Sequence, residues 1–171
     1  MADYYFPTVI QQTIPDSDMT PLERLLLSHI FEAERDGDGW YFFSEEGSTD
    51  MILVERAPLE AALVESQIPG ENVANTIVSE HLAKLRAAEP DAPLVDLDLS
   101  MTSWEPILQD IVRRSPTLGY NSAVSSFTCS RMRADGFGGA VVVILADAVL
   151  GKSTNDLLEE FIEQVTRSAD P

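Results

Sequence analysis

Residues 121–133 (NSAVSSFTCSRMR) and 140–146 (AVVVILA) are two strand-sized runs on either side of ADGFGG, whose Asp135-Gly136 step is a turn signal. Runs this short and this close satisfy their backbone groups most simply by pairing with each other, which predicts an antiparallel hairpin. The pattern recurs upstream. WYFFS at 40–44 and MILVE at 51–55, separated by EEGSTD, predict a second hairpin, and LVDLDLS at 94–100 alternates as a half-buried strand does. YYFPTVI at 4–10 adds a short strand in which Pro7 favours an edge position or a break. Within this frame AVVVILA is expected to be the most buried strand.

Between these runs lie helix signals. Thr20 can cap, Pro21 suits a first helical position and Glu23 completes a capping box, so Leu22, Leu25, Leu26, Ile30 and Phe31 define a helix over 21–35 that Asp36-Gly37 ends. LEAALVES after Pro58 predicts a short helix stopped by Pro69-Gly70, and Asn72 caps a longer one carrying Val73, Ile77, Leu82 and Leu85. Thr102 and Glu105 have capping-box spacing before a helix holding Trp104, Ile107, Leu108, Ile111 and Val112, and a last helix spans about 154–166. Paired strands interleaved with helices predict an α+β fold, one domain over 1–171, with a mainly antiparallel sheet (two hairpins plus an extra strand) and four to five helices.

Charge narrows the function. Eleven basic residues face 29 acidic ones, a formal net charge of −18. Residues 1–100 hold 20 acidic and 5 basic side chains, and residues 101–171 hold 9 and 6. Direct nucleic-acid binding and attraction to an anionic membrane both need clustered Lys and Arg, so neither is expected, whereas a basic partner would meet the first half. Within residues 32–50, Glu32, Glu34, Asp36, Asp38, Glu45, Glu46 and Asp50 face the single Arg35. No apolar run approaches membrane-spanning length, the N-terminal residues show no secretion signal, and Cys129 is the only cysteine, which together predict a cytoplasmic protein of bacterial type.

Gly151-Lys152-Ser153 imitates the end of a phosphate-binding loop. The pattern needs glycine at position 146, where alanine stands, and Asp147 would place a carboxylate beside phosphate. The residues are better explained by Gly151 turning the chain and by Ser153 capping the last helix with Asp156 three residues on. GFGG at 136–139 lacks dinucleotide-loop spacing. His29 and His81 have no metal-ligand partners at zinc spacing, and Asp16-Ser-Asp18 and Asp36-Gly-Asp38 do not continue into calcium loops. Asp96 and Asp98 read as the polar face of a strand, and Cys129 as a small buried hydrophobe. No catalytic residue, metal ligand or cofactor is therefore expected. Arg113, Arg114, Arg131, Arg133 and Lys152 either pair internally with carboxylates or, in the case of Arg131, Arg133 and Lys152, form a small anion site.

TPLERLLLSHIFEAERDGDGWYFFSEEG, SWEPILQDIVRRSPTLGY and RMRADGFGGAVVVILADAVLGKSTNDLLEEF together resemble a group of small acidic uncharacterised proteins encoded on bacterial plasmids and other mobile elements. The resemblance implies an accessory role, such as interference with a host defence system, and carries no catalytic residues with it. Two functional expectations follow. The first is a non-enzymatic protein whose acidic first half docks on a basic, nucleic-acid-binding protein. The second is a small enzyme or ligand-binding domain that uses Arg131, Arg133 and Asp135 near a pocket. A homodimer built on the aromatic strand WYFF is compatible with either.

Overall fold

The computed structural model describes residues 2–67, 70–100 and 102–169. Pro7 breaks the first extended segment, as its missing N–H requires, into β1 (Tyr4–Tyr5) and β2 (Thr8–Ile10), and β3 (Ile14–Pro15) continues the same line. Helix α1 (Pro21–Ile30) starts with the expected box: Thr20 Oγ1 accepts from the Glu23 N–H while the Glu23 carboxylate accepts from the Thr20 N–H. It ends five residues earlier than its periodicity suggests. Residues beyond it form β4 (Glu32–Asp36), which turns at Gly37 into β5 (Gly39–Ser44). Gly37, the first of the two loop residues Gly37-Asp38, has φ +57°, the positive backbone angle that this first hairpin-loop position demands.

β6 (Met51–Glu55) does not pair with WYFFS. It pairs antiparallel with β7 (Leu94–Asp98) in a separate two-stranded ribbon, Leu53 opposite Asp96. The reason is pattern matching: both strands alternate buried and exposed, so Ile52, Val54, Val95 and Leu97 share one buried face. Between them lie α2 (Arg56–Glu65) and α3 (Val73–Ala88), the latter capped by Asn72, whose Oδ1 accepts from the Asn75 N–H. Pro69, expected to stop α2, lies outside the described residues. Helix α4 (Glu105–Arg114) lacks the box expected of Thr102 and Glu105. Ser103, at φ 63°, makes a turn in which both Thr102 and Ser103 N–H groups bond Leu99 O, so Thr102 lies too far upstream to cap.

β8 (Asn121–Cys129) and β9 (Phe137–Ile144) form the expected hairpin, and β10 (Val149–Ser153) adds to it with Gly151 opposite Val142. Gly151 is thus mid-strand, and the chain turns instead at 145–148, where Leu145 N–H bonds Ala148 O. Helix α5 (Thr154–Ala169) follows, capped as expected: Asp156 N–H bonds Ser153 Oγ and Ser153 N–H bonds the Asp156 carboxylate.

The main sheet runs β10-β9-β8-β2-β5, with β3 and β4 also on β5 and β1 also on β8. β4 covers one edge of β5 along its length, so β2 and β3 share the other, and the free edges of the sheet are β4 and β10. Ile10, Ile14, Phe42, Ala123 and Ile144 point from one face into a core completed by α1–α4 and the ribbon. The opposite face carries a register row, Glu32–Phe43–Val9–Val124–Val141–Lys152, of exposed or half-buried side chains. AVVVILA is consequently not the most buried strand. Near the end of the sheet, Ile144 is buried while Val141 is 45% exposed.

Candidate functional site

The acidic cluster is organised by the β4–β5 hairpin. Side chains two apart on a strand share a face, so Glu32, Glu34 and Asp36 project together from the outermost strand. Directly across from them lie Phe43, Tyr41 and Gly39. Tyr41 and Phe43 stack on each other with ring centroids 5.4 Å apart, forming an aromatic strip beside the carboxylates. Glu45 joins this group, its N–H donating to the Glu32 carboxylate at 3.3 Å. Asp38 sits in the turn, where its carbonyl accepts from Asp16 N–H. Glu46 lies beyond Glu45, its carbonyl bonded by Phe6 N–H, and Asp50 lies apart, its carbonyl bonded by Leu99 N–H next to the ribbon. All seven carboxylates are exposed, and among the described residues none of them makes an ion pair.

The nearest cations are committed elsewhere. Arg35 points to the opposite face of β4, where its guanidinium lies 4.6 Å from the Trp40 ring centre and 3.4 Å from Asp16. Asp16 also accepts from Arg24 and from the Trp40 indole N–H, each at 2.8 Å. Those two hydrogen bonds, Arg24 first, hold the Asp16 carboxyl below its ordinary range. Positive charge is therefore drawn to Asp16, leaving the β4 carboxylates as a one-sign field. In the sequence WYFF reads only as an aromatic, strand-sized run. Its position beside the acids needed the Asp36-Gly37 turn, which in the sequence reads equally well as the end of a helix.

Four of the five cations pair internally, and Arg131 makes no ion pair among the described residues. Arg113 bonds Asp110 at 2.5 Å, Arg114 bonds Glu23 at 2.6 Å, Arg133 bonds Asp135 at 3.2 Å and Lys152 bonds Glu160 at 2.5 Å. Arg131 and Arg133 belong to the β8–β9 turn, whereas Lys152 sits on β10 opposite Val141, well along β9. A trough of about 550 Å³ does lie next to that turn, lined by Phe6, Phe127 and Phe137, by Ser125, Ser126, Ser153, Thr154 and Asn155, and by Asp135 at its rim. Its lining contains no arginine or lysine.

The histidines serve their own helices, His29 bonding Leu25 O and His81 bonding Ile77 O through Nδ1. Cys129 is buried, and Asp96 and Asp98 face outward from β7 while Val95 and Leu97 face in. Among the described residues no group of three His, Cys, Asp or Glu side chains is placed to hold a metal ion, and no helix is long and apolar enough to cross a membrane. Neither a protein-family model, nor a curated protein, nor a solved structure matches this chain.

Proposed function

We propose that this protein is a non-enzymatic interaction protein that docks on a basic protein surface through the β4–β5 hairpin. The observation that supports the reading best is the row Glu32, Glu34 and Asp36 on one face of an edge strand, exposed and, among the described residues, without ion pairs. Tyr41 and Phe43 beside that row add apolar contact area of the kind that anchors interfaces. Carboxylates spaced along a strand present negative charge to a surface adapted to phosphates, so a nucleic-acid-binding protein is the favoured partner. The resemblance to mobile-element proteins adds an accessory or anti-defence role to this expectation.

The test is capture of partners from bacterial lysate at low and high salt, with the native chain and with a Glu32→Gln, Glu34→Gln, Asp36→Asn variant. The native chain is expected to retain a basic protein at low salt that elutes as ionic strength rises, because exposed charges are screened within a Debye length of about 8 Å at 0.15 M. The triple variant loses most of that retention. Equal retention by both chains, or no salt-sensitive partner, rejects the proposal.

A further inference from the structure

Helix α5 is amphipathic, and beyond its contacts with β9 and β10 the described residues leave its apolar stripe open. Leu157, Leu158, Phe161, Ile162 and Val165 follow one stripe at helical spacing, and they are 39%, 56%, 58%, 56% and 71% exposed. Every residue from 154 to 167 is exposed. An isolated helix of this length is marginal in water, and its stability normally comes from burying its apolar face. The strand that leads into it has the same character. β10 is a free edge of the sheet among the described residues, and Leu150 and the neighbouring Val141 are exposed on the face opposite to that of Val149 and the buried Ile144. Leu150 and Lys152 share a face of β10, and Lys152 is ion-paired to Glu160, so the second turn of α5 lies beside Leu150.

We propose that the α5–β10 face is a homodimer interface, with α5 of one copy packed antiparallel on α5 of a second. The area fits: with roughly 150–200 Å² for a large side chain, the five α5 residues together with Leu150 and Val141 expose on the order of 650 Å², approaching the ~800 Å² each partner contributes to a standard interface. That exceeds the patch of about 300–600 Å² typical of a monomer.

Charge favours a second copy meeting here rather than elsewhere. The net charge of residues 1–100 is −15 and that of residues 101–171 is −3, so contact through α5, which carries Asp156, Glu159, Glu160 and Glu163 against Arg167, opposes less like charge than contact through the first half would. The other free edge, β4, carries Glu32, Glu34, Arg35 and Asp36, the charged kind of edge that resists pairing. It stands at the opposite end of the strand order, and a dimer through α5 leaves both acidic hairpins outward. The WYFF strand, by contrast, is paired along both edges. A lipid surface suits α5 poorly, because Asp156, Glu159, Glu160 and Glu163 give its polar face the wrong sign.

Sedimentation equilibrium of the full chain from about 1 to 100 µM tests the assembly. The expected mass is twice 18.8 kDa. Phe161→Asp, and separately Leu158→Asp, weaken association at least about thirty-fold, because each change enters a two-fold interface twice. Both residues are exposed, so the far-UV spectrum and the thermal transition of the sheet persist. Glu34→Gln, on the opposite edge, leaves the dimer intact, which separates this inference from hairpin docking. A chain monomeric throughout the range, a dimer indifferent to both α5 changes, a dimer lost on Glu34→Gln, or a monomer that instead sediments with phosphatidylcholine vesicles overturns it.

Discussion

Glu23 is fully buried, and its carboxylate is satisfied from three directions. Oε2 accepts from Thr20 N–H at 2.8 Å, Oε1 from the Asn72 amide at 2.7 Å, and Arg114 Nη2 lies 2.8 and 2.6 Å from the two oxygens. The network ties the start of α1 to the cap of α3 and the end of α4. Removing one partner of such a pair leaves an uncompensated buried charge, so Arg114→Met is expected to cost about 3–5 kcal/mol in equilibrium urea unfolding. A loss below about 1 kcal/mol would show the pair to be incidental. Glu105 is the opposite case. Burial, followed by the nearby Asp50 charge, raises its carboxyl above the ordinary 4.5, and Oε2 has no hydrogen-bond partner among the described residues. The folded state then holds more protons than the unfolded chain between pH 4.5 and the raised value, so this group's contribution falls as pH rises. Glu105→Gln is expected to stabilise the fold by up to about 1 kcal/mol at pH 7 and to give no gain below pH 4.5, where both states are protonated. Asp16 and Glu60 run the other way: arginine hydrogen bonds lower both, so their contribution is present at neutral pH and lost on acidification. Of all this only the Thr20–Glu23 box was legible in the sequence, because a box spans four consecutive residues. Asn72 and Arg114 reach Glu23 from 49 and 91 residues away.

At the scale of elements, local signals held where the local chain decides. Asn72 and Ser153 cap as their spacing predicts. Ser153→Ala removes the acceptor for Asp156 N–H, and a loss of about 1 kcal/mol in the first turn of α5 is expected, read as faster amide exchange there with the sheet amides unchanged. Unchanged exchange in that turn would assign the start of α5 to something other than the cap. Signals failed where an element has two readings. Ala33 and Arg35 lie on one face of β4, but Ile30 and Phe31 just before them continue a helical stripe, and the pairing of β4 with β5 decides. MILVE fits either a hairpin with WYFFS or a ribbon with LVDLD. The ribbon buries Ile52 and Val54 against Val95 and Leu97, and no turn chemistry announces it because 38 residues separate Glu55 from Leu94. Gly151 shows the same ambiguity, a turn residue by type that sits mid-strand because the tighter turn at 145–148 precedes it.

The whole molecule is a charged body with two unlike edges. At −18, self-repulsion opposes the compact state. Raising salt from about 0.01 to 0.15 M shortens the screening length from ~30 to ~8 Å, and the thermal midpoint is expected to rise by a few degrees. A falling midpoint in a calorimetric salt series would mean that pairs such as Arg114–Glu23 outweigh the repulsion. β4 meets solvent with carboxylates, whereas β10 and α5 meet it with leucine, isoleucine, valine and phenylalanine. The amphipathic spacing of 157–165 is plain in the sequence, but that stripe implies burial without naming what buries it. The acidic count of residues 32–50 is plain too, but not that three of its members align on an edge. What the sequence determined by itself was the α+β class, the antiparallel hairpin at 121–144, the caps and the charge, all of them properties of neighbouring residues or of sums over the chain. Only the tertiary structure decided which strands pair, which arginine meets which carboxylate and which apolar faces stay open, because each depends on contacts between residues tens of positions apart whose alternatives are locally equivalent.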